Sequence, residues 1–368
     1  GLGGPNSKGG NTRVDDYRRT FSSIVDYCIS NNVDVFIQTG DLFDSRDPSS
    51  DLIKIVDSEV KRLSDNNIAS FIIMGNHDYK KTKDGYSSSL ENLSCVDFPC
   101  SRVLIHPELI IVEKDFEKVG LILFPYRDKR LYGSSDCELA SLKYNSHVKS
   151  IVDSADGCSK KIFVGHNFFY EGSYSDYGGS EILANQRKFG NIDLAVMGHL
   201  HEFRKVRDVP LSYYAGSMEK INFGDKNTKK FTIEYDTVRG VVTPIETKTK
   251  ELFDGSLSVR NSDDVSSLND KISKLNLDDK IVRLNIIVNE LIASSINKQD
   301  IKKSLYSKGA YYVSDVKLSV KKVKRSRDLV LDTNEISDIK LFSKYLDSFS
   351  LTDEDKKKIK VIAKDIME

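Results

Sequence analysis

Four short apolar runs, each ending in a polar cluster, organise the first 200 residues. Val33-Asp34-Val35-Phe36-Ile37 leads into Gly40-Asp41-Leu42-Phe43-Asp44, and Phe71-Ile72-Ile73-Met74 leads into Gly75-Asn76-His77-Asp78. Ile162-Phe163-Val164 leads into Gly165-His166-Asn167, and Leu194-Ala195-Val196-Met197 into Gly198-His199-Leu200-His201. Runs of this length, rich in β-branched residues, predict strands buried on both faces. Between them the apolar spacing changes to that of helices. Phe21, Ile24, Val25 and Cys28 predict one helix over Val14–Ser30, and Leu52, Ile55, Val56 and Val60 another over Ser49–Leu63. The alternation predicts a parallel α/β core. Further strands near Val119–Phe124, Lys230–Tyr235 and Val241–Ile245 turn that expectation into a mixed, two-sheet arrangement.

The pattern changes near residue 250. Helix is predicted over Asp263–Leu275 and Lys298–Ser307, and strand over Ile281–Val288 and Ala310–Val320, with Gly309 ending the second helix. We therefore divide the chain into 1–249, a small α/β domain over 250–322, a linker over 323–335 and a helical hairpin over 336–368. The stretch Lys321–Arg327 is basic and reads as linker, solvated strand end or phosphate contact; charge runs are most often solvated. In the tail, Ile336, Ile339, Leu341, Phe342, Tyr345 and Leu346 mark one amphipathic helix. Thr352 caps a second, with Asp353, Glu354 and Asp355 in its first turn and Ile359, Ile362 and Ile366 along its stripe.

Composition narrows the function classes only a little. Fifty-five basic and 55 acidic side chains among 368 residues predict no partner from overall charge. Five cysteines without a CxxC pair argue for a reducing compartment and against a zinc ribbon. No apolar run reaches the roughly 20 residues that span a bilayer, so a cytoplasmic location without membrane contact is expected.

The chemistry lies in the polar clusters. They follow strand ends, where open α/β sheets place their ligand sites. Asp41, Asn76, His166, His199 and His201 together offer a carboxylate, an amide oxygen and three imidazoles, an inventory suited to a pair of divalent cations. Asp41 is the candidate for a ligand shared between them. Taken alone it would more simply cap a turn. His201, two residues after His199, can turn towards the second metal. His77, adjacent to Asn76, faces elsewhere and can serve a bound phosphate as acid or as charge. Asp44 is the favoured partner to orient His77; Asp78 could do the same or cap the next turn. His106 and His147 sit in no strand-end context and read as structural.

These clusters resemble the GD-x-x-D, GNHD and GH-x-H signatures of the calcineurin-like metallophosphoesterase superfamily. Gly40 to Ser49, with Ala215-Gly216-Ser217 and Phe223-Gly224-Asp225, is further similar to the SbcD-type DNA-repair nucleases. The resemblance covers the whole chain in order of parts, specifically in the four motifs and only by pattern in the cap and tail. It implies a two-sheet metallophosphoesterase sandwich flanked by helices, a DNA-contacting capping domain and a C-terminal hairpin that binds an SbcC-type ATPase. It also implies two Mn²⁺ ions, with Asp41 bridging, Asn76, His166 and His199 on one metal and His201 on the other. His77 is implied as the catalytic histidine. The implied reaction is hydrolysis of DNA phosphodiester bonds, exonucleolytic on duplex and endonucleolytic on single strands. Homodimers are implied through helices of the nuclease domain, with Ser49–Leu63 and Ser87–Leu93 as candidates. The family's first strand ends in Asp-x-His and supplies two further ligands; residues 1–12 match the loop after it, so that strand is expected to precede Gly1. Were the strand truly missing, a non-catalytic DNA-binding or assembly subunit becomes the reading. A phosphoesterase of small or protein substrates is the other alternative.

Overall fold

The computed structural model describes residues 2–4, 11–83, 85–171, 181–321, 342, 345–347, 349 and 352–367. By contacts the chain divides into two compact units. The first comprises Gly1–Gly255, Leu275–Leu284 and Lys302–Asp315; the second comprises Ser256–Lys274, Asn285–Ile301 and Val316–Glu368.

The first unit opens with helix α1 (Thr12–Ser30), capped by the Asn11 side chain, then β1 (Val35–Gln38), α2 (Ser50–Asp65) and β2 (Ala69–Ile73). A small hairpin follows, β3 (Tyr79–Thr82) and β4 (Gly85–Ser88). Next come β5 (Ser101–Leu104), β6 (Glu108–Lys114), β7 (Glu117–Phe124) and helix α3 (Cys137–Ser154). Then come β8 (Lys160–Gly165), β9 (Phe168–Phe169), β10 (Leu183–Ala184), β11 (Leu194–Met197), β12 (Arg204–Asp208) and β13 (Leu211–Tyr214). The hairpin of β14 (Lys230–Asp236) and β15 (Val241–Thr247) precedes residue 250.

Two sheets carry this unit: a parallel one in the order β1-β2-β5, and a mixed one in the order β12-β13-β11-β8-β7-β6. Phe71, Ile73 and Leu104 from the first meet Leu121, Leu123, Ile162, Val164, Leu194 and Val196 from the second. On the outer side of the first sheet, Ile72 packs under Val25 of α1 and Val60 and Leu63 of α2. On the outer side of the second, Ile122, Phe124, Phe163 and Ala195 pack under Ala140, Tyr144, Val148 and Val152 of α3. Successive strand residues thus feed two different cores, which is why these strands read as unbroken apolar runs. The expected two-sheet α/β class is observed. Helix α3, absent from the expectation, covers the second sheet with apolar residues at every fourth position.

Three expectations need correction or fall outside the described residues. Ser87–Leu93 is not a helix: Gly85–Ser88 is strand, and only Ser89–Asn92 forms a 3₁₀ turn. Its Leu90 and Leu93 point into the core of this chain, which accounts for the helix-like spacing. The single helix expected over Asp263–Leu275 is two, α4 (Ser262–Ser266) and α5 (Leu268–Ser273), broken at Ser267 in a run of poor helix formers. The linker 323–335 and the first tail helix up to Leu341 lie outside the described residues, as do residues 322–327 of the basic stretch.

From residue 252 onward, β16 (Leu252–Val259), β17 (Ile281–Asn289) and β18 (Tyr312–Lys321) form a sheet in that order, with α6 (Lys298–Ser307) between the last two strands. Gly309, at φ +94°, ends α6 as expected, and the Ala310 amide donates to Leu305 O. The last helix, Asp353–Met367, is capped by Thr352, whose hydroxyl oxygen accepts the Asp355 amide. No helix among the described residues is long and apolar enough to cross a membrane.

Candidate metal centre

Parallel pairing puts the ends of β1 and β2 level with each other, and likewise β8 and β11, where Gly165 faces Met197. The polar loops after these strands meet at one edge of the two-sheet layer. Close approach requires glycine: a β-carbon on Gly40 would lie 2.1 Å from His166 Nδ1, and one on Gly198 would lie 2.1 Å from Thr39 O. Asp41 and His199 take left-handed backbone at φ +54° and +78°. Such conformations cost about 1 kcal/mol or more each for non-glycine residues and cluster at functional sites.

Asp41, His166 and His199 come together, each offering a ligand atom within 4.8 Å of the others. Asp41 Oδ2 lies 3.1 Å from His166 Nε2. Asn76 Oδ1 lies 3.0 Å from the same nitrogen and 2.8 Å from His199 Nδ1. His166 Nδ1 lies 2.7 Å from the main-chain oxygen of Thr39 and donates to it. That bond orients the ring and turns His166 Nε2 towards two oxygen acceptors. Ring nitrogens and oxygens converging in this way are the donor set of a cation site. Two imidazole nitrogens, a carboxylate and an amide oxygen fit a divalent ion of intermediate softness.

The electrostatics agree. Burial alone would raise the Asp41 carboxyl, but the His166 ring and the His77 amide, which donates to Oδ1 at 2.8 Å, outweigh it and hold it below the usual range. Burial, reinforced by the neighbouring His166 ring, pushes His199 down to about 4, so it is a neutral ligand at physiological pH.

His77 is at the rim, 44% exposed. Its Nδ1 lies 3.2 Å from the main-chain oxygen of Asp44 and 3.7 Å from that residue's fully exposed carboxylate. Asp78 does something else. It is completely buried and accepts the amides of Gly75 at 2.9 Å and of Leu42 and Phe43 at 3.3 Å each, tying the β1 and β2 loops together. His201 lies outside the cluster of Asp41, His166 and His199. Burial, then the nearby Lys230 ammonium, lowers its pKa. His106 and His147 contact the hydroxyls of Tyr86 and Tyr132. Thr39 and Lys230 escaped the sequence reading, since a main-chain acceptor and a lysine in a Lys-Lys pair carry no signal.

The family model for calcineurin-like phosphoesterase matches residues 14–203, a little over half of the chain and inclusive of every residue of this centre. The chain belongs to this family. As a calcineurin-like phosphoesterase it is similar to proteins named DNA double-strand break repair protein Mre11. The one from Saccharolobus solfataricus is 34% identical over 189 residues, covering 51% of this chain and 44% of that protein. The one from Thermoplasma acidophilum is 26% identical over 208 residues, covering 56% and 51%. The chain thus spans about half the length of these relatives. A solved structure, TT1561 of Thermus thermophilus, overlays with a TM-score of 0.41 at 11% identity over 62% of this chain and 92% of that one, too low a likeness to carry an argument.

Proposed function

We propose that this phosphoesterase is the nuclease subunit of an SbcCD-like DNA repair and recombination complex, hydrolysing DNA phosphodiester bonds with two Mn²⁺ ions. The observation that carries the reading is the convergence of Asp41, Asn76, His166 and His199 with His77 beside them. The names of the relatives supply the substrate class. Asp41, Asn76, His166 and His199 would hold one metal, and His201 with Asp41 would contribute to the other. Bound there, the metals supply Lewis-acid charge and an activated water to a phosphodiester. The chain's own residues do the rest. Thr39 O holds His166 with its lone pair towards the site. The Asp44 carbonyl would accept a hydrogen bond from His77 Nδ1–H and so aim Nε2 at the phosphate. In the imidazolium form Nε2–H would give its proton to the departing oxygen or stabilise charge on phosphate, with Nδ1–H kept in place. Asp78 keeps the two ligand loops in register.

In this reading residues 250–322 form a DNA-contacting cap, 323–335 a linker and 336–368 the docking hairpin for an SbcC-type ATPase, which supplies ATP dependence. The exposed Val361 and Ile362 of the last helix support that docking. A second copy pairs through Ser49–Leu63, and the protein works in the cytoplasm at the nucleoid, or in a host cytoplasm. The test is cleavage of long linear DNA with Mn²⁺ by this chain and by His77→Ala, beside a small chromogenic phosphodiester. Metal-dependent DNA cleavage lost in H77A supports the proposal. Turnover of the small ester alone favours a phosphoesterase of other substrates. DNA binding without cleavage favours an assembly subunit.

A further inference from the structure

The loop carrying His199 and His201 is held from below by a buried cation. Lys230, the first residue of β14, is 1% exposed. Its ammonium donates to the main-chain oxygen of His201 at 2.7 Å and faces Asp225 Oδ1 at 3.5 Å. The same oxygen accepts the Ser217 amide at 3.1 Å. That second bond depends on Gly216, at φ +77°, since a β-carbon there would lie 2.7 Å from the Phe203 amide nitrogen. Donors from two separate segments thus converge on one carbonyl, in the loop that β11 launches.

A buried ammonium is costly to desolvate, and replacing a buried ion pair with apolar groups often leaves stability unchanged or raised. Asp225 also has main-chain partners, its other oxygen accepting the amides of Ile221 at 2.8 Å and Asn222 at 3.3 Å. An apolar pair in place of Lys230 and Asp225 would therefore serve stability as well. What an apolar side chain could not do is grip the His201 carbonyl. We propose that Lys230 is a positioning residue of the metal centre: with the Gly216–Ser217 turn it clamps the main chain of His201 and so aims the imidazoles of His199 and His201. The inference rests on reading those histidines as metal ligands.

The test is calorimetric titration of the full chain with Mn²⁺, alongside thermal unfolding without metal, for the native protein, Lys230→Met and Gly216→Ala. Outer contacts that orient metal ligands are typically worth about 10–100-fold in metal affinity. K230M is expected to lose about that much Mn²⁺ affinity per folded molecule, over and above the fall in its metal-free unfolding temperature from leaving the Asp225 carboxylate without its cation. G216A, which displaces the turn and leaves Lys230 intact, should weaken Mn²⁺ binding in the same direction, and it decides the matter should K230M not fold. A folded K230M that binds Mn²⁺ like the native chain overturns the clamp while leaving the metal centre standing. A native chain that binds no Mn²⁺ overturns the metal centre and the clamp with it.

Discussion

Replacing Asp78 with alanine should damage both the fold and the metal site. The carboxylate is completely buried and accepts three main-chain amides, from Gly75, Leu42 and Phe43. Burial raises its pKa, with the amide of Gly75 opposing, so the protein meets a desolvation cost to keep it there. Its removal orphans donors of which Gly75 and Phe43 are buried. Each buried donor left unsatisfied costs about 1–3 kcal/mol. A water drawn into the vacated space recovers part of this, leaving a loss of about 3 kcal/mol. Against a typical domain stability of about 5–15 kcal/mol that is a large fraction. Urea unfolding followed by circular dichroism, with the denaturant slope compared between variants, measures it. Mn²⁺ affinity should fall too, because Gly75 approaches so closely that a β-carbon on it would lie 2.1 Å from Asp41 Oδ1. A loss below about 1 kcal/mol with unchanged slope would refute the claim that Asp78 ties the two loops together.

Other consequences can be checked separately. Gly40→Ala should abolish Mn²⁺ binding by calorimetry, since its β-carbon would lie 2.1 Å from His166 Nδ1 at a backbone φ of +94°; a variant that still binds Mn²⁺ would count against the packing described. Leu63→Ala, at a site with no exposure, should cost about 2–5 kcal/mol in urea unfolding without changing metal affinity per folded molecule. The folded imidazole of His199 titrates at about 4 against an ordinary 6.5. Below pH 6.5 the unfolded chain therefore takes up a proton that the folded chain refuses. Metal-free stability should fall by up to about 3 kcal/mol between pH 6.5 and 4 relative to His199→Asn, then level off; a gap independent of pH in urea titrations would contradict the buried neutral imidazole. Burial pushes the Cys28 thiol up to about 11, so iodoacetamide at pH 8 should modify it only in unfolded protein, as peptide mass mapping would show.

How far the sequence could be read depended on which force shaped each segment. Strands such as Ile162–Val164 were legible because both their faces are buried, which leaves an unbroken apolar run. Helix α3 was not, because its buried positions include Ser141 and Asn145 among Ala140, Tyr144 and Val148, diluting the stripe with polar side chains that serve loop amides and carbonyls. Ser89–Asn92 shows the opposite failure: Leu90 and Leu93 have helical spacing but sit in a turn whose shape comes from a capping box between Ser88 and Glu91. In the site, Asp41, Asn76, His166 and His199 were legible as a set because each ends an apolar run. The separate jobs of Asp44 and Asp78 were not, since which carboxylate reaches which amide depends on how two loops distant in sequence fold against each other. Lys230 illustrates the limit most clearly. A lysine beside another lysine reads as solvated surface, and only the path of β14 beneath the His201 carbonyl makes it internal.

The most direct test of the central claim is diffraction from crystals grown with Mn²⁺, recorded on either side of the manganese absorption edge. The account predicts an anomalous peak in contact with Asp41 Oδ2, Asn76 Oδ1, His166 Nε2 and His199 Nδ1. Crystals soaked to saturation that show no peak within coordination distance of those four atoms, or show manganese bound elsewhere, would contradict it.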